Sequence, residues 1–479
     1  MSVAELFVAL MIIGMILLLS AIIRAHVRWM RAIFLPSSVI GGVLALLAGP
    51  AVLGALAGSP FENGKGIFPN YIYSSWLDMP GLLISVVFAA LFLGKPLPGL
   101  REIWMRAGPQ VVVGQTMAWG QYVVGLSLAL LVLTPVFGVN PMIGALIEMG
   151  FEGGHGTAAG MAGTFTELGF EEGADLALGM ATIGIVAGVL IGTLLINIAA
   201  RRGILTSLEQ ESTQTRSHEP SADQVAAFKQ DLEHESSATD PLSFHLGLVG
   251  VAIVIGWLIL KALQWIEDVT WASGGGIEIM EHVPLFPIAM IGGVIIQLIV
   301  MRCGWERHIS ARTMSRISGT ALDYTIVAAL ATLSLTALGE YLVPFLLLAL
   351  TGIAWVLFVL LVIAPRIIPE NWFERGIGDM GQSMGVTVTG ILLMRVADPK
   401  NESGAMESFG YKQLLFEPVV GGGLFTAAAL PLIAQFGPLT VLGLTAALTL
   451  GWLAFGFLYF NRLVPERGRG RLNPKVKQR

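Results

Sequence analysis

Residues 148–164 read EMGFEGGHGTAAGMAGT, and this stretch decides how the sequence can fold. Glycine at this density destabilises a continuous helix by roughly 1 kcal/mol per residue relative to alanine. A second stretch, residues 376–390, repeats the pattern as GIGDMGQSMGVTVTG. Apolar segments flank both stretches, so we predict helices that break in mid-course. In a membrane such breaks are tolerated only where protein encloses them.

The composition places the rest of the chain in lipid. Of its 479 residues, 54% are hydrophobic and 13% are charged, with a mean hydropathy of +0.75. An ordinary soluble domain carries about 25% charged residues. The net charge of −5 gives no indication of a nucleic-acid partner, and the single cysteine, Cys303, excludes an intrachain disulfide. We therefore expect an all-α integral membrane protein.

Apolar segments of about 20 residues can cross a bilayer, and the sequence contains eleven candidates besides the two broken stretches. The broken stretches lie near 141–168 and near 376–397. The predicted spans are 4–23, 33–57, 78–94, 109–135 and 174–199, then 243–264, 285–301, 319–339, 343–364, 415–435 and 438–461.

Lysine and arginine predict the orientation, because both are enriched in cytoplasmic loops. Glu5 precedes the first apolar segment and arginines follow it, the reverse of a cleavable signal peptide, so we expect the N-terminus outside. The alternation continues along the chain only if each broken stretch is a re-entrant hairpin that leaves the membrane on its own side. Arg395 and Lys412 then flank the second hairpin on the cytoplasmic side. The polar linker 203–241 and the C-terminus are also cytoplasmic.

An internal repeat relates the two halves. Residues 36–43 read PSSVIGGV, and residues 287–294, in the corresponding helix of the second half, read PIAMIGGV. A generic contact between small residues is the alternative explanation of the paired glycines. Because each half holds an odd number of full helices before the next begins, the repeats must be inverted, a common plan of secondary transporters. We predict one repeat at 1–202, another at 242–436, and an extra C-terminal helix with a basic tail at 437–479.

The broken stretches carry the chemistry of ion and anion capture. A helix that starts at Gly156 or Gly385 directs free N–H groups and its positive dipole end at the break, which suits a carboxylate. Backbone carbonyls and threonine hydroxyls are oxygen ligands that suit Na⁺. The predicted substrate-binding residues are Glu152, Gly154, His155, Gly156, Thr157, Gln382, Ser383, Gly385, Thr387 and Arg395. The predicted Na⁺ ligands are Thr157, Thr387, Thr389 and Asn140.

Several of these residues have a structural alternative. His155 is as readily a packing residue as a substrate contact. Arg395 could extend to the membrane surface instead of binding a carboxylate. Asn140 precedes Pro141, which is also a turn signal. The side chains alone therefore leave both roles open.

Three further features are interpreted as structural. Asp78 and Asp323 are predicted to cap the starts of their helices, and the run Gly421 to Gly423 is predicted to let helices pack closely. No P-loop motif of the form G-x-x-x-x-G-K-[ST] occurs in the chain, which argues against an ATP-driven pump. The sequence therefore favours a secondary carrier over an enzyme.

The motif Gly153-Gly-His-Gly-Thr-Ala-Ala-Gly160, followed by Thr164-Phe and Glu167-Leu-Gly, resembles the first hairpin of the bacterial sodium/glutamate symporter family. Residues 379–399 resemble the second hairpin of that family. The resemblance implies Na⁺-coupled uptake of L-glutamate across the cytoplasmic membrane by a homodimeric carrier. It also implies an elevator movement, in which a hairpin-bearing domain slides against a scaffold. The long linker and the extra final helix depart from the family core.

Two alternatives to glutamate symport stay open at the level of sequence. A carrier of another organic anion, such as citrate, malate or aspartate, driven by Na⁺ or H⁺, would use the same architecture. A membrane sensor with vestigial transport would keep the hairpins and signal through the linker. Uptake with competing anions distinguishes the first alternative, and a response without flux identifies the second.

Overall fold

The computed structural model describes residues 3–28, 30, 36–60, 66–97, 99–205, 241–270, 272–273, 280–399, 402–460 and 462. Nine helices in this part of the chain are long and apolar enough to cross a membrane. Large apolar side chains stay exposed on them, among them Met15 at 69%, Leu131 at 76% and Leu439 at 72%. Exposed apolar surface of this kind is suited to lipid. The chain is a multi-pass integral membrane protein.

The first half of the described chain contains eight helices of interest. They are α1 (Val3–His26), α2 (Ser37–Ala48), α3 (Asn70–Ala90), α4 (Leu100–Leu128), α5 (Leu146–Phe151), α6 (Gly154–Gly160), α7 (Ala162–Glu167) and α8 (Gly173–Arg201). Most of the predicted linker 203–241 lies outside the described residues.

The second half contains nine more. They are α9 (Pro241–Val269), α10 (Leu285–Cys303), α11 (Ala311–Ala331), α12 (Leu335–Glu340), α13 (Leu342–Phe358), α14 (Trp372–Ala397), α15 (Ala405–Phe416), α16 (Leu424–Phe436) and α17 (Pro438–Phe455). Helix α17 corresponds to the predicted extra helix, and the predicted basic tail lies outside the described residues.

Helix α4 in the first half and helix α13 in the second half each continue into a π-helical turn. The turn Ala129–Leu133 follows α4 and the turn Val359–Ile363 follows α13. Each lies just before a proline, Pro135 or Pro365. A proline ring clashes with the carbonyl four residues earlier in an α-helix, and the wider turn relieves that clash.

Two predicted spans are wrong. The predicted span 319–339 contains the end of α11, and the Ser334 hydroxyl then caps α12 by accepting from Ala337 N at 3.2 Å. The predicted span 415–435 is interrupted, because the helix stops at Phe416 and resumes only at Leu424. Both errors arise because hydropathy does not detect a short break inside an apolar segment.

The structure also contradicts the roles predicted for Asp78, Asp323 and the run Gly421 to Gly423. Asp78 and Asp323 lie inside α3 and α11 and do not cap helix starts, since α3 already begins at Asn70. The run Gly421 to Gly423 lies between α15 and α16 and belongs to neither helix. We call residues 417–423 the third break.

The helices pack as two groups. In the first group, α2 contacts α1 and α11, while α10 contacts α9 and α3. In the second group, α8 packs on α14, and α4 packs on α15 and α17. The paired glycines allow close contacts in the first group. A Cβ at Gly42 would lie 2.6 Å from Leu330 Cβ, and one at Gly293 would lie 2.3 Å from the carbonyl oxygen of Ala89.

The second group meets the first along α6, which packs on α3 and α11. Glycines at positions 156 and 160 leave this face of α6 without side chains. A Cβ at Gly156 would lie 2.6 Å from Ile84 Cδ1, and one at Gly160 would lie 3.2 Å from Phe286 Cε1. A polar contact lies beyond the end of this apolar surface, where His282 Nδ1 is 3.1 Å from Glu167 Oε2. The contact between the groups is therefore largely apolar along α6.

Candidate functional site

The two Gly-rich stretches meet at their breaks. Helix α14 breaks at Gly385 and Val386, whose φ and ψ are −149° and 38°, then 60° and 173°. The first stretch breaks between α5 and α6, where Gly154 has a φ of 70°. A Cβ at Gly154 would lie 2.4 Å from Val386 Cγ1. Position 154 therefore requires glycine twice, for its positive φ and for the close approach.

The two arms of α14 pack against each other. A Cβ at Gly378 would lie 2.5 Å from Met394 Sδ, and one at Gly381 would lie 2.8 Å from Gly390 Cα. In a straight helix, positions 378 and 394 would be about 24 Å apart at 1.5 Å per residue. The chain therefore turns back at the second break, and the glycines allow its arms to touch.

Glu148 ties the first stretch to the third break. The Gly421 N–H donates to Glu148 Oε1 at 2.7 Å, and the Thr426 hydroxyl donates to the same oxygen at 2.8 Å. The Tyr122 hydroxyl donates to Glu148 Oε2 at 2.5 Å. Gly421 and Gly422 have φ values of 73° and 95°. The glycine run thus turns a backbone donor toward a buried carboxylate, a role that the sequence analysis missed.

Five buried oxygen atoms at the breaks have no hydrogen-bond partner among the described residues. They are both carboxylate oxygens of Glu152, Thr157 Oγ1, Ser383 Oγ and Gln121 Oε1. A buried polar atom that lacks a partner costs roughly 1–3 kcal/mol. An orphaned group of this kind in a native structure requires an explanation, such as an ion that is not part of the chain.

These four residues are neighbours. Gln121 Nε2 donates to the Ser383 carbonyl oxygen at 2.6 Å, and the Ser383 hydroxyl lies close to the Glu152 carboxylate without forming a hydrogen bond to it. Gly421 and Gly422 lie close to two of these oxygen atoms. A Cβ at these positions would lie 3.8 Å from Glu152 Oε2 and 2.6 Å from Thr157 Oγ1. A carboxylate, two hydroxyls and an amide carbonyl form a hard-oxygen donor set, which fits Na⁺.

A buried ion pair lies on the other side of the second break. Lys412 on α15 and Asp379 on α14 are both fully buried, and Lys412 Nζ donates to Asp379 Oδ1 at 2.9 Å. Gln110 Nε2 donates to the same carboxylate oxygen at 3.2 Å. Lys412 is therefore not the cytoplasmic flanking charge that the sequence predicted. The signal for its burial was the position of Lys412 between aromatic and aliphatic residues, with Phe409 before it and Leu414 to Phe416 after it.

A chain of side-chain hydrogen bonds continues from this pair to the third break. Lys412 Nζ donates to Gln382 Oε1 at 2.7 Å, and the amides of Gln382 and Gln413 exchange hydrogen bonds of 3.1 Å. Gln413 Nε2 donates to Thr387 Oγ1 at 3.2 Å, and that hydroxyl donates to Glu417 Oε1 at 2.8 Å. Helix α15 thereby holds both sides of the second break.

The predicted site residues divide into those at the breaks and those elsewhere. Glu152, Gly154, Thr157, Ser383 and Gly385 lie at the facing breaks, and a Cβ at Gly385 would lie 2.6 Å from Thr389 Oγ1. Gln382 and Thr387 lie in the hydrogen-bond chain with α15.

The other predicted residues have different surroundings. His155 is buried, and its Nε2 lies 2.9 Å from Thr182 Oγ1. Gly156 faces Ile84 at the contact between the groups, since α6 starts at Gly154. Asn140 Oδ1 accepts from Met142 N at 3.0 Å and caps a short 3₁₀ helix. Arg395 is exposed in the last turn of α14.

A multi-pass membrane protein with three helix breaks around buried charges and orphaned oxygen atoms has the architecture of a secondary transporter. Comparison with known protein families identifies the transporter family to which the chain belongs. The chain belongs to the sodium/glutamate symporter family, whose profile matches residues 78–398, more than half of the sequence. This match confirms the resemblance, and the activity it supports is sodium-coupled symport of glutamate. A comparison with curated proteins gave no match.

Proposed function

We propose that the chain carries L-glutamate and Na⁺ inward across the cytoplasmic membrane through a site enclosed by the three breaks. The observation that carries this proposal is the group of partnerless oxygen atoms on Glu152, Thr157, Ser383 and Gln121. They are contributed by the first stretch, the second stretch and α4. A ligand with positive charge would satisfy all of them at once.

Na⁺ is that ligand in our proposal. It binds Glu152 and Thr157 from the first stretch and Ser383 from the second, and thereby holds the two breaks together. Thr389, beside Gly385, is a further candidate ligand. Thr387 and Asn140 are weaker candidates than the sequence suggested, because their side-chain oxygens already have partners in Glu417 and Met142.

Glutamate binds next to Na⁺ at the closed breaks. Its carboxylates accept hydrogen bonds from backbone N–H groups at the start of α6 and of the second arm of α14, where the helix dipoles favour negative charge. Gly154 and Gly385 leave the backbone accessible. Gln382 and His155 are weaker candidates for substrate contacts than the sequence suggested, because their side chains already have partners in Lys412, Gln413 and Thr182. Arg395 is exposed, so the proposal assigns carboxylate binding to the backbone rather than to this arginine.

Coupling follows from this order of assembly. Without Na⁺, the carboxylate of Glu152 repels an anionic substrate, and the two breaks share no bridging ligand. Na⁺ removes the repulsion and fixes the backbone donors in place, so glutamate binds to a preorganised site. The ion and the substrate then stabilise the same closed arrangement and move together.

The movement that we propose is an elevator, in which the second group slides along the first. The apolar surface of α6, with Gly156 and Gly160 facing Ile84 and Phe286, supports such a movement because few polar contacts must break. A cavity of about 570 Å³ borders Arg375 and Ser408, each one helical turn from the Asp379–Lys412 pair. In our proposal this cavity is the cytoplasmic exit.

The same proposal includes inverted repeats at 1–202 and 242–436, each with a re-entrant hairpin, joined by a cytoplasmic linker at 203–241. The equivalent packing of α2 on α1 and α11, and of α10 on α9 and α3, supports the repeat. The N-terminus is outside, the extra segment 437–479 ends inside, and the carrier assembles as a homodimer in the lipid bilayer.

Glutamate uptake into proteoliposomes tests the proposed site. Glu152→Gln removes the charge but keeps an oxygen ligand, so the Na⁺ concentration for half-maximal uptake should rise by about ten-fold or more, in line with the loss of a charged partner at a buried site. The exposed Glu171 provides the matched control, because Glu171→Gln should leave this value unchanged. An unchanged Na⁺ dependence in Glu152→Gln would contradict the proposed Na⁺ site.

A further inference from the structure

Lys412 is an unusual residue for its place in the fold. It is 0% exposed, and it is the only buried lysine or arginine among the described residues. It lies beyond residue 398, the last residue that matches the family profile, whereas its partner Asp379 lies within the match. A buried charge at membrane depth is expensive and is a functional-site hypothesis by default.

The surroundings of Lys412 Nζ are those of a bound cation. Asp379 Oδ1 lies at 2.9 Å and Gln382 Oε1 at 2.7 Å. The ring centroids of Phe416 and Phe409 lie at 4.2 Å and 5.2 Å. Phe409, Lys412 and Phe416 share one face of α15 because they are three and four residues apart. The lysine therefore carries its positive charge into a cage of oxygen atoms and aromatic faces.

The buried carboxylates around the breaks differ in their partners. Three carboxylates on the two broken stretches are buried: Glu148, Glu152 and Asp379. Glu148 accepts from three donors, and Asp379 is paired with Lys412. The Glu152 carboxylate has no partner among the described residues, although it is within electrostatic reach of Lys412. When no ion is bound, Lys412 is the one fully buried cation near Asp379 and Glu152 among the described residues, although the half-buried Arg375 also reaches Asp379 and Lys412 also reaches Glu417.

We infer that Lys412 is a tethered counter-cation that allows the empty carrier to return across the membrane. The inference rests on the elevator movement proposed above. After Na⁺ and glutamate leave, a second group with bare carboxylates would have to move through a low-dielectric region, which is strongly unfavourable. Lys412 supplies the compensating charge for this step. In the loaded carrier, Na⁺ compensates Glu152 and backbone N–H groups hold the substrate carboxylates, so Lys412 has Asp379 alone to compensate instead of two carboxylates.

Net uptake and exchange separate these two steps. Net uptake requires the empty carrier to return in every cycle. Exchange of external labelled glutamate for internal glutamate, with Na⁺ on both sides, uses only the loaded carrier. Loss of the lysine charge should therefore reduce net uptake more than exchange, and the ratio of the two rates is the diagnostic quantity.

The experiment compares both rates in proteoliposomes for the full chain, Lys412→Gln, and the double variant Lys412→Gln with Asp379→Asn. We expect the ratio of net uptake to exchange to fall by about ten-fold or more in Lys412→Gln, since an uncompensated buried charge is left behind. The double variant removes both charges and should recover most of the ratio. Lys261, exposed on α9, provides the control variant Lys261→Gln, which should keep the original ratio.

The outcomes are distinct. An unchanged ratio in Lys412→Gln overturns the inference, and so does a double variant whose ratio stays as low as that of the single variant. If Lys412→Gln does not yield folded protein, Lys412→Met removes the same charge with a side chain that can still pack on Phe409 and Phe416, and an unchanged ratio in that variant overturns the inference equally. A wild-type chain without Na⁺-driven uptake would contradict the proposed function, whereas normal wild-type uptake with an unchanged variant ratio contradicts only the role of Lys412.

Discussion

The contact between the two breaks provides the sharpest structural test, through Gly154→Ala. Gly154 has a φ of 70°, and left-handed backbone costs alanine roughly 1–2 kcal/mol. The new Cβ would also lie 2.4 Å from Val386 Cγ1, and relief of such overpacking typically costs about 1–3 kcal/mol. Together these terms amount to about 2–5 kcal/mol, and every 1.4 kcal/mol is tenfold in affinity. We therefore expect glutamate affinity in the presence of Na⁺ to fall about thirty-fold or more.

The assay is binding of labelled glutamate to purified protein in nanodiscs at saturating Na⁺. Gly163→Ala is the matched control, because Gly163 is exposed in α7 and a Cβ there would meet open space. The double variant Gly154→Ala with Val386→Ala separates the two causes, because alanine lacks the overlapping Cγ1, while its Cβ would lie at an ordinary 3.8 Å. It removes the overlap and should recover about 1–3 kcal/mol of binding free energy, while the cost of the backbone conformation stays.

Two results would refute this reasoning. Equal affinities of Gly154→Ala and Gly163→Ala would show that the breaks do not meet in the protein. A double variant no better than Gly154→Ala would show that Val386 is not the neighbour that limits space at position 154.

Two further predictions concern the surroundings of the site. Tyr122→Phe removes the donor to Glu148 Oε2 and should destabilise the fold by about 1–3 kcal/mol, seen as a lower melting temperature in detergent, while Tyr459→Phe, at an exposed tyrosine, should not. In a Cys303→Ser background, cysteines at positions 167 and 282, where the side chains of Glu167 and His282 lie 3.1 Å apart, should be bridged by a short bis-methanethiosulfonate, which forms a disulfide with each cysteine and releases methanesulfinate. The bridge should stop both uptake and exchange until it is reduced, and full transport by the bridged protein would contradict sliding at this contact.

Much of the architecture was predictable because it depends on local composition. Glycine-rich runs predicted the first two breaks, and the structure places positive φ at Gly154 and Val386 within them. The third break at 417–423 was missed, although its glycines were visible, because its flanks are as apolar as a continuous span. Asp78 and Asp323 were wrongly predicted to cap helices, because a polar residue at the edge of an apolar segment was interpreted as the start of a helix.

The membrane class, the positions of two helix breaks and the family could all be predicted from the sequence. These features follow from hydropathy, from the conformational freedom of glycine and from a contiguous motif, all of which are local. Which charges are compensated and which oxygen atoms lack partners, in contrast, depends on the packing of distant parts of the chain. Glu148 meets Gly421, and Asp379 meets Lys412, across large separations in sequence. Hydrogen bonding and charge pairing depend on such distant partners, so no local pattern distinguishes the unpaired Glu152 from the satisfied Glu148.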